Sequence, residues 1–170
     1  MNADDEIGCV EAERALVGSL LLGDTTTARE VLARLRPTDL TDPRLRTVAA
    51  CVRVLLDAGT RPCPTTVQGQ LRRSGAVRSF TAGQDLAVFV VDLAAAPLTV
   101  GSATAYLTIV LEHAWWRRVE EAGIRLQQAA GTASVDVLAD LVTAEFRAVA
   151  EVAARWQPPA ASLRLVGGAG

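Results

Sequence analysis

The residues whose types could do chemistry are few. They are an acidic opening, Asp4-Asp5-Glu6, a carboxylate pair, Glu11 and Glu13, a single histidine, His113, and three cysteines, Cys9, Cys51 and Cys63. None has the spacing a reaction needs. Successive helical residues turn by about 100°, so Glu11 and Glu13 lie roughly 200° apart on a helix and cannot serve one substrate as acid and base. The opening reads as a solvated charge run. His113 has no second His or Cys at ligand spacing, so a polar or interface role outweighs a metal or catalytic one. The cysteines form no Cys-x-x-Cys pair, and an odd number of them favours reduced thiols, with Cys51 a small core residue.

All 17 basic side chains are arginine. Without lysine there can be no Gly-x-x-x-x-Gly-Lys-Ser/Thr loop, so the phosphate cradle of a P-loop ATPase is absent, and no Gly-x-Ser-x-Gly elbow occurs. The expectation is a non-enzymatic chain with no catalytic residue, no cofactor and no metal. With 19 acidic residues the net charge is −2, which gives no general attraction to nucleic acid. Arg72, Arg73 and Arg78, beside an irregular stretch, are the local candidates for a nucleic-acid contact. An ordinary solvated arginine face is the favoured reading, and direct DNA binding is expected to be weak. The longest apolar run, Leu86 to Ala96, is interrupted by Asp92, stopped by Pro97 and too short to span a bilayer. The acidic start lacks the basic opening of a signal peptide, so the predicted location is cytoplasmic, without membrane contact.

The elements that would carry any function read as helix after helix. At 170 residues and 50% hydrophobic, the chain can bury a sizeable core. Ala12, Ala15, Leu16, Ser19 and Leu20 mark a first helix over residues 10 to 22, with Gly23 as its stop. Asp24 caps a short second helix that ends at Pro37. Thr41-Asp42-Pro43 is a sharp start signal, an Asp cap followed by Pro at the first helical position, and Leu45, Val48, Val52, Leu55 and Leu56 follow up to Gly59. A short helix over 65 to 73 comes next. Gln84 to Ala96, where Val88-Phe89-Val90-Val91 would also suit a strand, is assigned to helix by its length and lack of alternation.

The second half reads as a helical hairpin turning at Gly131-Thr132-Ala133, its first helix capped by Ser102. That helix carries one stripe through Leu107, Leu111, Trp115, Val119, Ala122, Leu126 and Ala129, and another through Ile109, Trp116 and Gly123. The second helix shows a narrower seam of Val135, Leu138, Val142, Phe146, Val149, Val152 and Trp156. One seam closes the hairpin and the surplus needs a partner. Tyr106, Ile109, His113, Trp115, Trp116, Arg117, Val142 and Phe146 are therefore the candidate protein-interface residues. The predicted organisation is all-α: a loosely ordered start over 1–8, a globular head of five or six helices over 9–101, the hairpin over 102–156 and a flexible tail over 157–170.

The order of these segments resembles the N-terminal domain of DnaB-type replicative helicases over residues 10 to 152. Glu11-Ala12-Glu13, then Leu16-Val17-Gly18 and Leu20-Leu21-Leu22, is similar to that family's opening. Pro37-Thr38-Asp39-Leu40 with Asp42-Pro43-Arg44-Leu45-Arg46 falls where the family has an Asp-Phe segment and its following helix. Thr65-Thr66-Val67 with Leu71, and Tyr106-Leu107-Thr108-Ile109-Val110 with Arg117-Arg118, match its next short helix and the start of its hairpin. The chain departs from the pattern at Leu40, which replaces an aromatic, at Gly83, left from a Gly-Gly pair, and at Ser102, in place of Asn. The resemblance implies a helical head followed by a hairpin that pairs between subunits of a ring collar and receives primase and regulatory partners. The ATPase motor belongs to a separate domain absent from this sequence. The readings that follow are a replication-associated interaction module forming homo-oligomers through the hairpin or docking onto helicase or primase, the head of a longer helicase, or a generic helical adaptor.

Overall fold

Short polar signals place three of the helix starts, those at Thr25, Pro43 and Pro64. The computed structural model describes residues 3–76, 86–96 and 103–156. It contains α1 (Ala3–Leu22), α2 (Thr25–Arg34), a 3-10 turn (Pro37–Asp39), α3 (Pro43–Asp57), α4 (Pro64–Arg73), α5 (Leu86–Ala95), α6 (Ala103–Ala130) and α7 (Val135–Arg155), and no strand among the described residues. Asp24 opens α2 by accepting the Thr27 amide at 2.8 Å. Asp42 opens α3 by accepting the Arg44 amide at 2.8 Å, with Pro43 next. At α4 the amide of Cys63 donates to Thr66 Oγ1 at 2.9 Å. Each bond satisfies an amide that the first turn of a helix would leave orphaned. Gly59 (φ 68°) and Gly75 (φ 71°) follow α3 and α4 in the left-handed conformation that only glycine adopts cheaply.

The first helix begins at Ala3, well ahead of Val10, where the apolar spacing starts. The ambiguous stretch is helical from Leu86 to Ala95. It buries Phe89, Val90 and Leu93 while Val88 and Val91 stay exposed, a pattern of period near 3.6 and not the alternation of a strand. Ser102 and Gly83 lie outside the described residues.

The chain divides into two units, Met1–Ala114 and Trp115–Gly170, and the division falls within α6, where the sequence pattern alone would put it at that helix's start. In the first unit α1 packs on α5, α3 and α2, while α3 also packs on α4 and the 3-10 turn, and α4 on α5. Leu16 and Val17 of α1, Leu45, Val48 and Val52 of α3, Val67 of α4, Val90 of α5 and Leu107, Val110 and Leu111 of α6 are all at most 1% exposed. These residues are the core of the head. In the second unit, the remainder of α6 and α7 are joined by a turn in which the amides of Thr132 and Ala133 both donate to Ala129 O. No described helix is long and apolar enough to cross a membrane.

Candidate protein-interaction surfaces

Of the carboxylate pair on α1, Glu11 is exposed and Glu13 is a structural device. Glu13 is fully buried, and both its oxygens accept from the Thr41 amide and Thr41 Oγ1 at 2.9 Å. Its Oε2 also accepts the Asp42 amide at 3.4 Å. Glu13 thus holds the segment leading into α3 against α1. That segment is ordered further by Arg46, which donates to Leu40 O at 2.8 Å, and by the buried Asp39, which accepts the Arg36 amide at 2.6 Å. The role of Glu13 was not read from the sequence, although a signal existed. Leu16, Val17 and Leu20 follow it by three, four and seven residues, which places Glu13 on the buried face.

In the second unit the hairpin is closed by a mixed seam. Glu145 is only 5% exposed. It forms an ion pair with Arg118 Nη2 at 2.6 Å and accepts a hydrogen bond from Arg125 Nη1 at 3.1 Å, while Glu121 stands 3.6 Å from both guanidiniums. Trp115 stacks on Trp156, ring centroids 6.0 Å apart at 23°, and meets Trp116 edge-on at 4.9 Å and 70°. Ala122 and Val152 are buried. This corrects the expected seam. Phe146 is 67% exposed and Val135 83% exposed, because α7 turns Glu145 inward and leaves the next residue about 100° away.

Burial pushes the Glu145 carboxyl up, but the Arg125 hydrogen bond and the charges of Arg118 and Arg125 outweigh it and hold it below its ordinary value of 4.5. A carboxyl depressed in the fold contributes its full stabilisation above the unfolded value and loses it as pH falls through the folded one. Tryptophan fluorescence in an acid titration is therefore expected to be steady above pH 4.5 and to report loosening below it. Glu145→Gln should be loosened already at neutral pH and show less of the acid-induced change. An unchanged profile in that variant would remove Glu145 from the acid response.

Residues 8–112 match the DnaB-like helicase N terminal domain. The chain belongs to that family. It is 33% identical over 144 residues to the replicative DNA helicase DnaB of Mycobacterium leprae (strain TN), a match spanning 82% of this chain and 23% of that protein. It is also similar to the N-terminal domain of DnaB helicase from Mycobacterium tuberculosis in its crystal structure, with a TM-score of 0.72 and 30% identity over 82% of this chain and 95% of that one. The chain thus covers nearly all of a solved DnaB N-terminal domain and about a quarter of the curated helicase it matches.

This DnaB-like domain leaves several of its apolar side chains exposed. Trp116 (53% exposed), Ile109 (40%) and Phe146 (67%) present apolar area to solvent. Tyr106, His113, Trp115, Arg117 and Val142 are half-buried. Trp115 is engaged within the hairpin, stacked on Trp156. The sequence reading missed three further exposed apolar residues of this unit, Ile124, Val135 and Val137. Val135 it placed in the closing seam.

His113 Nδ1 is buried without a hydrogen-bond partner. Arg72 and Arg73 are exposed at the end of α4, where Arg73 donates to Gln70 Oε1 at 2.9 Å. Arg78 lies outside the described residues, so no three-arginine cluster is described. Among the described residues, no group of three or more His, Cys, Asp or Glu side chains is placed to hold a metal. Burial pushes the Cys51 thiol up to about 11, whereas hydrogen bonds from Thr66 lower that of Cys63.

Proposed function

We propose that this DnaB-like domain is a replication-associated interaction module that pairs through the outer face of its hairpin and docks onto helicase or primase. The observation that carries this reading is the exposure of Phe146 and Val135 on a helix whose inner seam is already closed. Apolar area gains roughly 25 cal/mol per Å² when removed from water, and buried aromatic anchors dominate interfaces. Trp116, 53% exposed on α6, adds a second aromatic to the same unit.

Light scattering at several concentrations, for the parent and for Trp116→Ala, tests it. A dimer or larger ring that is weakened in the variant is the expected result. A monomer at every concentration would overturn the self-association part and leave docking onto a different protein to be tested by pull-down with primase. A second reading, the head of a longer helicase subunit, is favoured by the short span of the match to the curated relative. Sequencing the gene beyond the Gly170 codon tests it, since a P-loop downstream would make the whole protein an ATPase and an immediate stop codon would remove the reading.

A further inference from the structure

The head carries a cleft of about 310 Å³ between the end of α2, the 3-10 turn and α3. Its floor is apolar and closed to water: Leu32, Leu35, Leu40 and Ala49 are buried. Its edge is cationic, formed by Arg36, Arg46 and Arg53, all exposed, with Val54 exposed beside them. No carboxylate is among the lining residues. This is unusual company in a chain whose net charge is −2.

Two of the guanidiniums are held in place by neutral acceptors. Arg53 Nη2 donates to Leu32 O at 2.9 Å and Leu35 O at 3.2 Å. Arg46 donates through Nε to Leu40 O at 2.8 Å and through Nη2 to Thr41 O at 3.2 Å. Backbone carbonyls orient an arginine without cancelling its charge, and a guanidinium has five donors, so several still point outward. The cleft therefore offers fixed positive charge around a hydrophobic floor. Its volume is at the low end of small-molecule sites, roughly 300–1,000 Å³, and suits an anchoring side chain better than a cofactor.

We propose that this cleft is a docking site for an acidic peptide segment of another protein, in which one bulky apolar residue is flanked by Asp or Glu. The apolar residue covers Val54, Pro37 and Ala50, the exposed apolar part of the lining, and the carboxylates pair with Arg36, Arg46 and Arg53, for which the planar guanidinium is the matched partner. Charge complementarity selects this occupant. A nucleic-acid backbone would meet the arginines but leave Val54, Pro37 and Ala50 uncovered.

The test is selection of random dodecapeptides displayed on phage against the immobilised full chain. Enriched clones are then re-measured as synthetic peptides by fluorescence anisotropy. The expected pool carries Leu, Ile or Phe between acidic residues, and its binding falls about tenfold or more in Arg36→Glu and in Val54→Asp and weakens as salt is raised. Both positions are exposed, and Val54→Asp keeps the test open should Arg36→Glu fail to fold. No enrichment over blank support, a basic or uncharged pool, or undiminished binding to a folded Val54→Asp variant would overturn the proposal. So would displacement of the peptides by a single-stranded oligonucleotide that itself binds the parent but not Arg36→Glu, which would assign the cleft to nucleic acid.

Discussion

Glu13→Ala is expected to lower the unfolding free energy by about 3 kcal/mol, read as a reduced urea midpoint with an unchanged slope. The Thr41 amide and hydroxyl and the Asp42 amide all turn toward this carboxylate, which is itself fully buried, in part-buried contacts. Bonds to a charged acceptor contribute roughly 1.5–3 kcal/mol each in favourable cases, and an orphaned buried donor costs a further 1–3 kcal/mol. Full additivity would overshoot, because the three donors share one acceptor and act as a unit. Glu13→Gln keeps one acceptor oxygen but sets an amide NH₂ against backbone donors, so it should recover only part of the loss. A loss under about 1 kcal/mol in Glu13→Ala would mean that the segment before α3 finds other acceptors and that Glu13 is not its anchor.

The second large effect concerns association. Phe146→Asp should weaken self-association by about a hundredfold or more while leaving the helix content and melting temperature of the monomer near those of the parent. The ring is 67% exposed, so the folded single chain gives up little when it is removed. At an interface the same ring would be desolvated against a partner and worth about 2 kcal/mol or more. An aspartate in its place adds a charge that burial would penalise. It stands on a strip with Val135, Ala139, Val142 and Val149, spaced by four, three, four and three residues, so one substitution interrupts a continuous stripe. Sedimentation velocity across a dilution series measures it. Parental association in Phe146→Asp would exclude this strip from the contact.

The all-helical architecture was legible because its signals are local. Thr41-Asp42-Pro43 announces α3, and the structure gives that cap the expected bond from the Arg44 amide. Leu86 to Ala95 follows helical period despite its β-branched content. The seam of α7 was less legible. Ranking positions by hydrophobicity puts Phe146 inside, yet Glu145 shares the inner line with Leu138, Leu141, Ala148 and Val152. Its two arginine partners sit 27 and 20 residues earlier, on the other helix, so nothing near Glu145 in the sequence announces its burial. Glu13 escaped for the same reason, as its donors are 28 and 29 residues away. The arginine-rimmed cleft is assembled from three separate elements and has no contiguous motif at all.

One carboxylate gripped by two guanidiniums seven residues apart on α6 also acts as an index mark. Sliding the helices by one turn, about 5.4 Å, would carry Glu145 toward one arginine and away from the other, so the two-armed contact would be lost. The hairpin therefore has one preferred alignment, and the azimuth at which α7 presents Phe146 is set from within. Outward residues such as Phe146 can then be exchanged without disturbing the contacts that set that azimuth.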